Sequence, residues 1–407
     1  MCPFGNDHHL CGSPNRVILL VLLGESAVRP RRLSFVDTHR TMRMADWVAR
    51  WQWRMPDLVL HDPDGPRECL VRAGQLVAHP DAVRPVADEL RRWVDRVEPS
   101  GRILLRAELR DRPVEIAADV ADRWSVAPNH VHIGGPIMVG TPVWVGGPTF
   151  DVPTPRPPAE ENWNPPVTVA VLDTGLDPHP WFAGRPWYSR WGVQPEVLDH
   201  DLDGNPDWQA GHGTFVAGIV VANAPGVTLR HHRVMSSMGL TDDTTIAAAL
   251  RTINGKADIV LLTAGCYTAN NQCPPILDHE FAQLKDTITV AAAGNGGSSR
   301  PFWPAALPEV TAVAATGNEG IITTFSNRGP WVNATAPGLN VVSSFVRLKP
   351  PTEGTAPGTE LREYGAARWS GTSFAAPHIA ADLAKLLHAG HTPTEALDRH
   401  SLGQPTL

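Results

Sequence analysis

Val167-Thr168-Val169-Ala170-Val171-Leu172-Asp173-Thr174-Gly175 is a nearly unbroken apolar run that ends on a carboxylate. A strand with one wet face would alternate polar and apolar residues, so this pattern predicts a strand covered on both sides. Residues 259–262, 288–292 and 310–314 repeat the pattern, and residues 214–222, 243–253 and 373–388 have helical spacing. Alternating buried strands and helices predict an α/β fold built on a doubly wound parallel sheet. In such sheets reactive groups gather just past the carboxyl ends of the strands, which is where Asp173 stands.

Two other segments carry chemistry of the same kind. Gly211-His212-Gly213-Thr214 puts an imidazole at the start of a helix. Gly371-Thr372-Ser373-Phe374-Ala375-Ala376-Pro377 puts a hydroxyl at the start of an alanine-rich one. A Ser hydroxyl is a weak nucleophile until an imidazole can take its proton, and the imidazole needs a carboxylate to fix its tautomer and stabilise its charge. Asp173, His212 and Ser373 are therefore the candidate catalytic residues. Residues 165 to 390 resemble the subtilisin-like serine peptidases, in which these three motifs occur in the order Asp, His, Ser. The resemblance extends to Ala291-Ala292-Ala293-Gly294-Asn295, where it implies that the Asn295 amide donates to an oxyanion, and to the landmarks Phe325–Pro330 and Ala336–Gly338. It further implies that Thr263, Ala264, Gly265, Ala293 and Gly294 line the substrate pocket and pair with an extended peptide. Thr263-Ala264-Gly265 departs from the family's usual Ser-Leu-Gly, so substrate preference stays open.

The implied activity is a serine endopeptidase acting through an acyl-enzyme and processing itself. The alternatives are a maturation protease dedicated to one precursor and a catalytically silent binding module with this fold. Catalysis of this type requires no cofactor. Asp201, Asp203, Asn205 and Asp207 alternate in a Gly-containing turn, a candidate structural calcium site, although the position of an EF-hand's bidentate Glu is taken by His212. The spacing of His and Cys residues does not suggest zinc.

Residues 140–166 are rich in Pro and Gly, which excludes a helix or central strand and marks a linker. The boundaries expected are residues 1–60 without assignment, a small α+β domain at 61–135, a linker at 136–164, the peptidase domain at 165–392 and a tail at 393–407. In the small domain, strands are expected at 68–79, 102–109 and 130–133, and helices at 83–97 and 114–124; a further helix is expected at 41–55. Its ending, Val126-Ala127-Pro128-Asn129-His130-Val131-His132, is similar to the last strand of the inhibitory propeptides found in this family. That likeness implies that the chain's own N-terminal domain is an intramolecular inhibitor with its tail in the cleft.

Composition bounds the remaining questions. The 407 residues carry a net charge of −7 with 42% hydrophobic and 19% charged residues, the profile of a globular chain without a nucleic-acid partner; protein or peptide substrates are what the resemblance implies. The aliphatic run at 17–23 is far too short for a membrane span; it reads as a buried strand, with the core of a signal peptide as the alternative. A cytoplasmic location is expected on that reading, and export on the other. Five cysteines form no disulfide framework, although Cys266 and Cys273 are close enough in sequence either to bridge or to stay as buried thiols.

Overall fold

The computed structural model describes residues 43–134, 147–150, 152–190, 194–200, 202–317, 319–356 and 358–402. The expected strand at 17–23, Cys2, Cys11, the tail end at 403–407 and much of the first half of the linker lie outside them. The chain divides after Thr38, and all described residues belong to the second unit.

Six parallel strands form the main sheet: β6 (Thr168–Asp173), β7 (Thr228–Arg233), β9 (Ile259–Leu262), β11 (Ile288–Ala292), β12 (Val310–Thr316) and β13 (Ala334–Pro337), in the spatial order β13-β12-β11-β9-β6-β7. Successive side chains go to opposite faces. Val169, Val171, Ile259 and Leu261 join one core with Phe215, Val216, Ile379 and Leu383, from α5 (His212–Asn223) and α8 (Thr372–His388). Ala170, Leu172, Val260 and Leu262 join another with Ile246, Leu250, Ile276 and Phe281, from α6 (Asp243–Ile253) and α7 (Pro275–Ala282). Both faces are therefore covered, which explains the continuous apolar runs. From β6 the chain winds one way to β7 and the other way through β9 to β13, so the switch point lies at the end of β6.

A hairpin of β14 (Val341–Lys349) and β15 (Leu361–Trp369) precedes α8. The expected C-terminal tail begins with a helix, α9 (Pro393–Leu402), which buries Ala396 in the core beside α8. A short helix α4 (Pro186–Arg190) packs Trp187 into the same core.

The N-terminal part is α+β, with α1 (Met44–Trp51), β1 (Leu58–His61), β2 (Cys69–Ala78), α2 (Val83–Glu89), β3 (Val94–Val97), β4 (Ile103–Leu105), α3 (Pro113–Ala118) and β5 (Val126–Gly134). The boundary expected at residue 61 falls inside β1, which pairs with β2 along its length. The helix expected over 83–97 ends at Glu89. Trp93 and Val97 keep helical spacing, but the pairing of β3 with β4 takes that segment, a tertiary contact overriding the local period. Gly74, at φ 65°, kinks β2, so that β1 pairs with its first half and β4 with its second; a Cβ there would stand 3.3 Å from the Arg110 backbone. Helices α2 and α3 close a core of Leu76, Val86, Leu90, Ile103, Ile116 and Val126.

Strand β5 links the two parts. Its first residues pair with β2, and its last pair antiparallel on one edge with β8 (Leu240–Asp242) and on the other with β10 (Ala264–Gly265). The register puts Ile133 opposite both Leu240 and Gly265. His79 and His279 meet at 3.0 Å, and the Arg300 guanidinium donates to the Glu68 carbonyl at 3.0 Å.

Candidate active site

Asp173 is the last residue of β6, and Thr174 and Gly175 form the loop on which α5 begins. Gly213 has no room for a side chain: a Cβ would come within 2.4 Å of the Gly175 carbonyl oxygen. That close approach brings the first residue of α5, His212, against Asp173. Its Nδ1 donates to Asp173 Oδ1 at 2.7 Å, and both side chains are fully buried. The same oxygen accepts from the Thr174 amide at 2.7 Å, while Oδ2 accepts from the Thr263 hydroxyl at 2.5 Å. Burial alone would raise the Asp173 carboxyl, but the adjoining His212 imidazole and the hydrogen bonds from His212 and Thr263 hold it below the usual carboxylate range. The imidazole's orientation and tautomer are thereby set, and His212 Nε2 is left buried with no hydrogen-bond partner among the described residues.

Ser373 is the second residue of α8, so its backbone N–H is one of those a helix start leaves unbonded. Its hydroxyl donates to the Thr263 carbonyl at 3.3 Å, and the residue is 1% exposed. Pro377 lacks the amide that would otherwise bond to the Ser373 carbonyl one turn earlier. Asn295 follows β11. Its Oδ1 accepts from the Thr372 amide at 2.8 Å and from the Thr372 hydroxyl at 3.0 Å, which orients the side-chain amide. Its Nδ2 lies 3.6 Å from where a Cβ on Gly371 would stand. Thr372 also fastens Gly294, whose amide donates to its hydroxyl at 3.1 Å.

Thr263, Gly265, Gly294, Asn295 and Thr372 line one cavity with Phe302 and Tyr267, and Leu70, Val131 and Ile133 of the N-terminal part complete it. Ala264 pairs with Gly134 beside it, and Ala293 is buried at the end of β11. Sequence reasoning missed Phe302, whose ring lies where Cβ atoms on Gly265 and Gly294 would stand. It also missed Glu196, which accepts from the Thr174 hydroxyl at 2.8 Å behind the Asp–His pair and whose carboxyl burial pushes well up. Nothing in its neighbourhood in the sequence signals that contact.

The turn considered for calcium carries a set of hydrogen bonds to its carboxylates. Asp201 lies outside the described residues. Asp199 accepts from the Asp203 and Gly204 amides, Asp203 accepts from the Asn205 amide at 2.9 Å, and Asp207 Oδ2 accepts from the His200 amide and the Ser237 hydroxyl. Cys69, Cys266 and Cys273 are free thiols.

The subtilase family profile matches residues 165–400, the stretch that carries the parallel sheet and Asp173, His212, Asn295 and Ser373. The chain belongs to the subtilase family. Among curated subtilases it is 32% identical over 239 residues to the thermophilic serine proteinase of Bacillus sp. (strain AK1), a match covering 56% of this chain and 53% of that protein. It is 29% identical over 231 residues to the minor extracellular protease Epr of Bacillus subtilis (strain 168), covering 54% of this chain and 32% of that protein. The chain thus spans about half the length of the first and a third of the second. Similar solved structures include a cold adapted subtilisin-like serine proteinase, at 24% identity and a TM-score of 0.43. Another is the prenylagaramide maturation protease PagA, at 26% and 0.43. Each match covers 57% of this chain and 80% of the other. Among the described residues no helix is long and apolar enough to cross a membrane.

Proposed function

We propose that this subtilase is a serine endopeptidase that works through an acyl-enzyme on Ser373 and whose own N-terminal domain occupies its cleft until it is cut away. The observation that carries the reading is the buried His212–Asp173 pair, bonded through Nδ1, with Nε2 left over, together with a helix-start Ser bonded to the Thr263 carbonyl and an oriented Asn beyond β11. In the reaction, the Ser373 hydroxyl turns from the Thr263 carbonyl towards His212 Nε2, gives up its proton there and attacks the peptide carbonyl carbon. Asp173 holds the ring and stabilises the imidazolium. The Ser373 N–H and the Asn295 amide receive the oxyanion, and His212 returns the proton to the leaving amine. The proton relay is complete with these side chains, so the reading calls for no cofactor.

Support for the inhibitory role comes from β5, which fills the place between β8 and β10 where an extended substrate would add as a strand. A fluorophosphonate probe applied to the purified chain tests the catalytic part: Ser373 is labelled in the wild type and not after Ser373→Ala. Intact mass tests the processing. The active chain is expected to lose its N-terminal domain by a cut between about residues 132 and 164, and Ser373→Ala to stay whole. A wild type that is never labelled would leave a silent binding module as the reading.

A further inference from the structure

We propose that His132, Asp243 and Cys266 form a binding site for a zinc-class divalent metal that fastens the N-terminal domain to the peptidase domain. One ligand atom from each, an imidazole nitrogen, a carboxylate oxygen and a thiol sulfur, lies within 4.8 Å of the others, and all three residues are buried. They come from three places in the chain: His132 from β5, Asp243 from the first turn of α6, and Cys266 from the residue after β10. His132 Nε2 is 2.7 Å from Asp243 Oδ1. Asp243 Oδ2 accepts from the His130 amide at 2.7 Å and meets His130 Nδ1 at 3.1 Å, so His130 would hold the ligating carboxylate from outside, as second partners of metal ligands do.

The donor set selects the metal. Calcium and magnesium take oxygen cages, whereas a nitrogen, a sulfur and one carboxylate suit zinc and its neighbours. Charge agrees: a carboxylate and a thiolate with a neutral imidazole exactly need two positive charges to be neutral inside a dry interface, the condition under which buried charge is tolerated. Burial pushes the Cys266 thiol well up, so binding has to release its proton to solvent, while a neutral His132 that ligates through Nε2 keeps its one ring proton on Nδ1. Cys266 also lines the cavity at the substrate pocket.

The site stands on this geometry alone. Its consequence, that the metal prolongs inhibition, rests on the reading of the N-terminal domain as an inhibitor. The test therefore uses the full chain with Ser373→Ala under reducing conditions, where no processing interferes. Cobalt(II) titration is expected to give a thiolate-to-metal charge-transfer band saturating at one equivalent. That band should vanish with Cys266→Ala and persist with Cys273→Ser, and zinc affinity should fall more than about 100-fold with His132→Gln, since even outer partners are worth about 10–100-fold. X-ray absorption of the zinc-loaded chain, which needs no ligand variant, should show one sulfur at about 2.3 Å with nitrogen and oxygen neighbours. A folded chain with no thiolate band, a band that survives Cys266→Ala, or a zinc shell without a single sulfur would overturn the site. With the site established, unchanged processing of the wild type with and without zinc would overturn only the regulatory consequence.

Discussion

Among the described residues, two fully buried His–Asp pairs have the same 2.7 Å separation, His212–Asp173 at the end of the parallel sheet and His132–Asp243 between β5 and the start of α6. They differ in which ring nitrogen is used. His212 bonds its carboxylate through Nδ1 and keeps Nε2, which the ring presents on the side away from its own backbone. His132 bonds through Nε2 and keeps Nδ1. They differ also in what surrounds the carboxylate. Asp173 has a hydroxyl and an amide as further donors, so its one imidazole is held as a proton acceptor. Asp243 has a second imidazole and a thiol nearby, which is a ligand set. On the readings proposed above, the same two side chains serve a proton relay in one place and a latch in the other, and the neighbours decide which.

The sharpest way to break the comparison is to remove the relay. Ser373→Ala and His212→Ala should each lower peptide turnover by about 10⁶, a magnitude known for subtilisin of this same family rather than derived from this chain; near-wild-type hydrolysis by either would remove the distinction between the pairs. Exchanging the carboxylates sharpens it. Asp173→Asn should cost about 10⁴ in turnover through the wrong imidazole tautomer. Asp243→Asn should instead lower the unfolding free energy of the Ser373→Ala chain by about 1–3 kcal/mol, as the histidines lose a charged acceptor. Denaturant melts and a peptide assay of the two variants check this, and a turnover loss of 10⁴ in both would show one relay, not two roles. Asn295→Ala should reduce turnover by about 10²–10³, again a figure taken from subtilisin, while leaving acylation measurable by a stopped assay.

The smallest effect comes from a third imidazole. His232 has Arg230 and Lys256 as charged neighbours rather than a carboxylate, and burial with Arg230 beside it pushes it down to about 4. The unfolded chain takes up its proton near pH 6.5 and the folded chain only near 4, so stability falls as pH drops through that window. His232→Gln should flatten the slope of unfolding free energy against pH by up to one proton between those limits. An unchanged slope would mean that the folded chain protonates His232 as readily as the unfolded one.

The parallel sheet and the residues of the candidate relay were legible because each of their signals is local. An apolar run announces β6, a carboxylate ends it, and α6 and β9 occupy the residues their spacing predicts. The latch was not legible. His130 and His132 read as strand residues, and nothing at residue 132 points to partners at 243 and 266, which only the docking of β5 brings near. The residue pattern begins the last strand only at 130, although the propeptide likeness takes it from Val126: Pro128 stands inside the strand, where a proline argues against a ladder, yet it pairs opposite Leu76. At α2 the helical period ran past the true end because β3 forms only through its partner, a contact no local pattern encodes.

Strand β5 has one further property, which follows from its belonging to two sheets at once. Val126 is locked opposite Ala78 in one sheet, and Gly134 opposite Ala264 in the other. A slip of one residue would turn every side chain of the strand to the wrong face, taking Val126 out of its core and His132 away from Asp243. The strand therefore acts as a ruler whose zero is set by the N-terminal core. Each residue up to Gly134 is delivered between β8 and β10 at a phase fixed by counting from Val126.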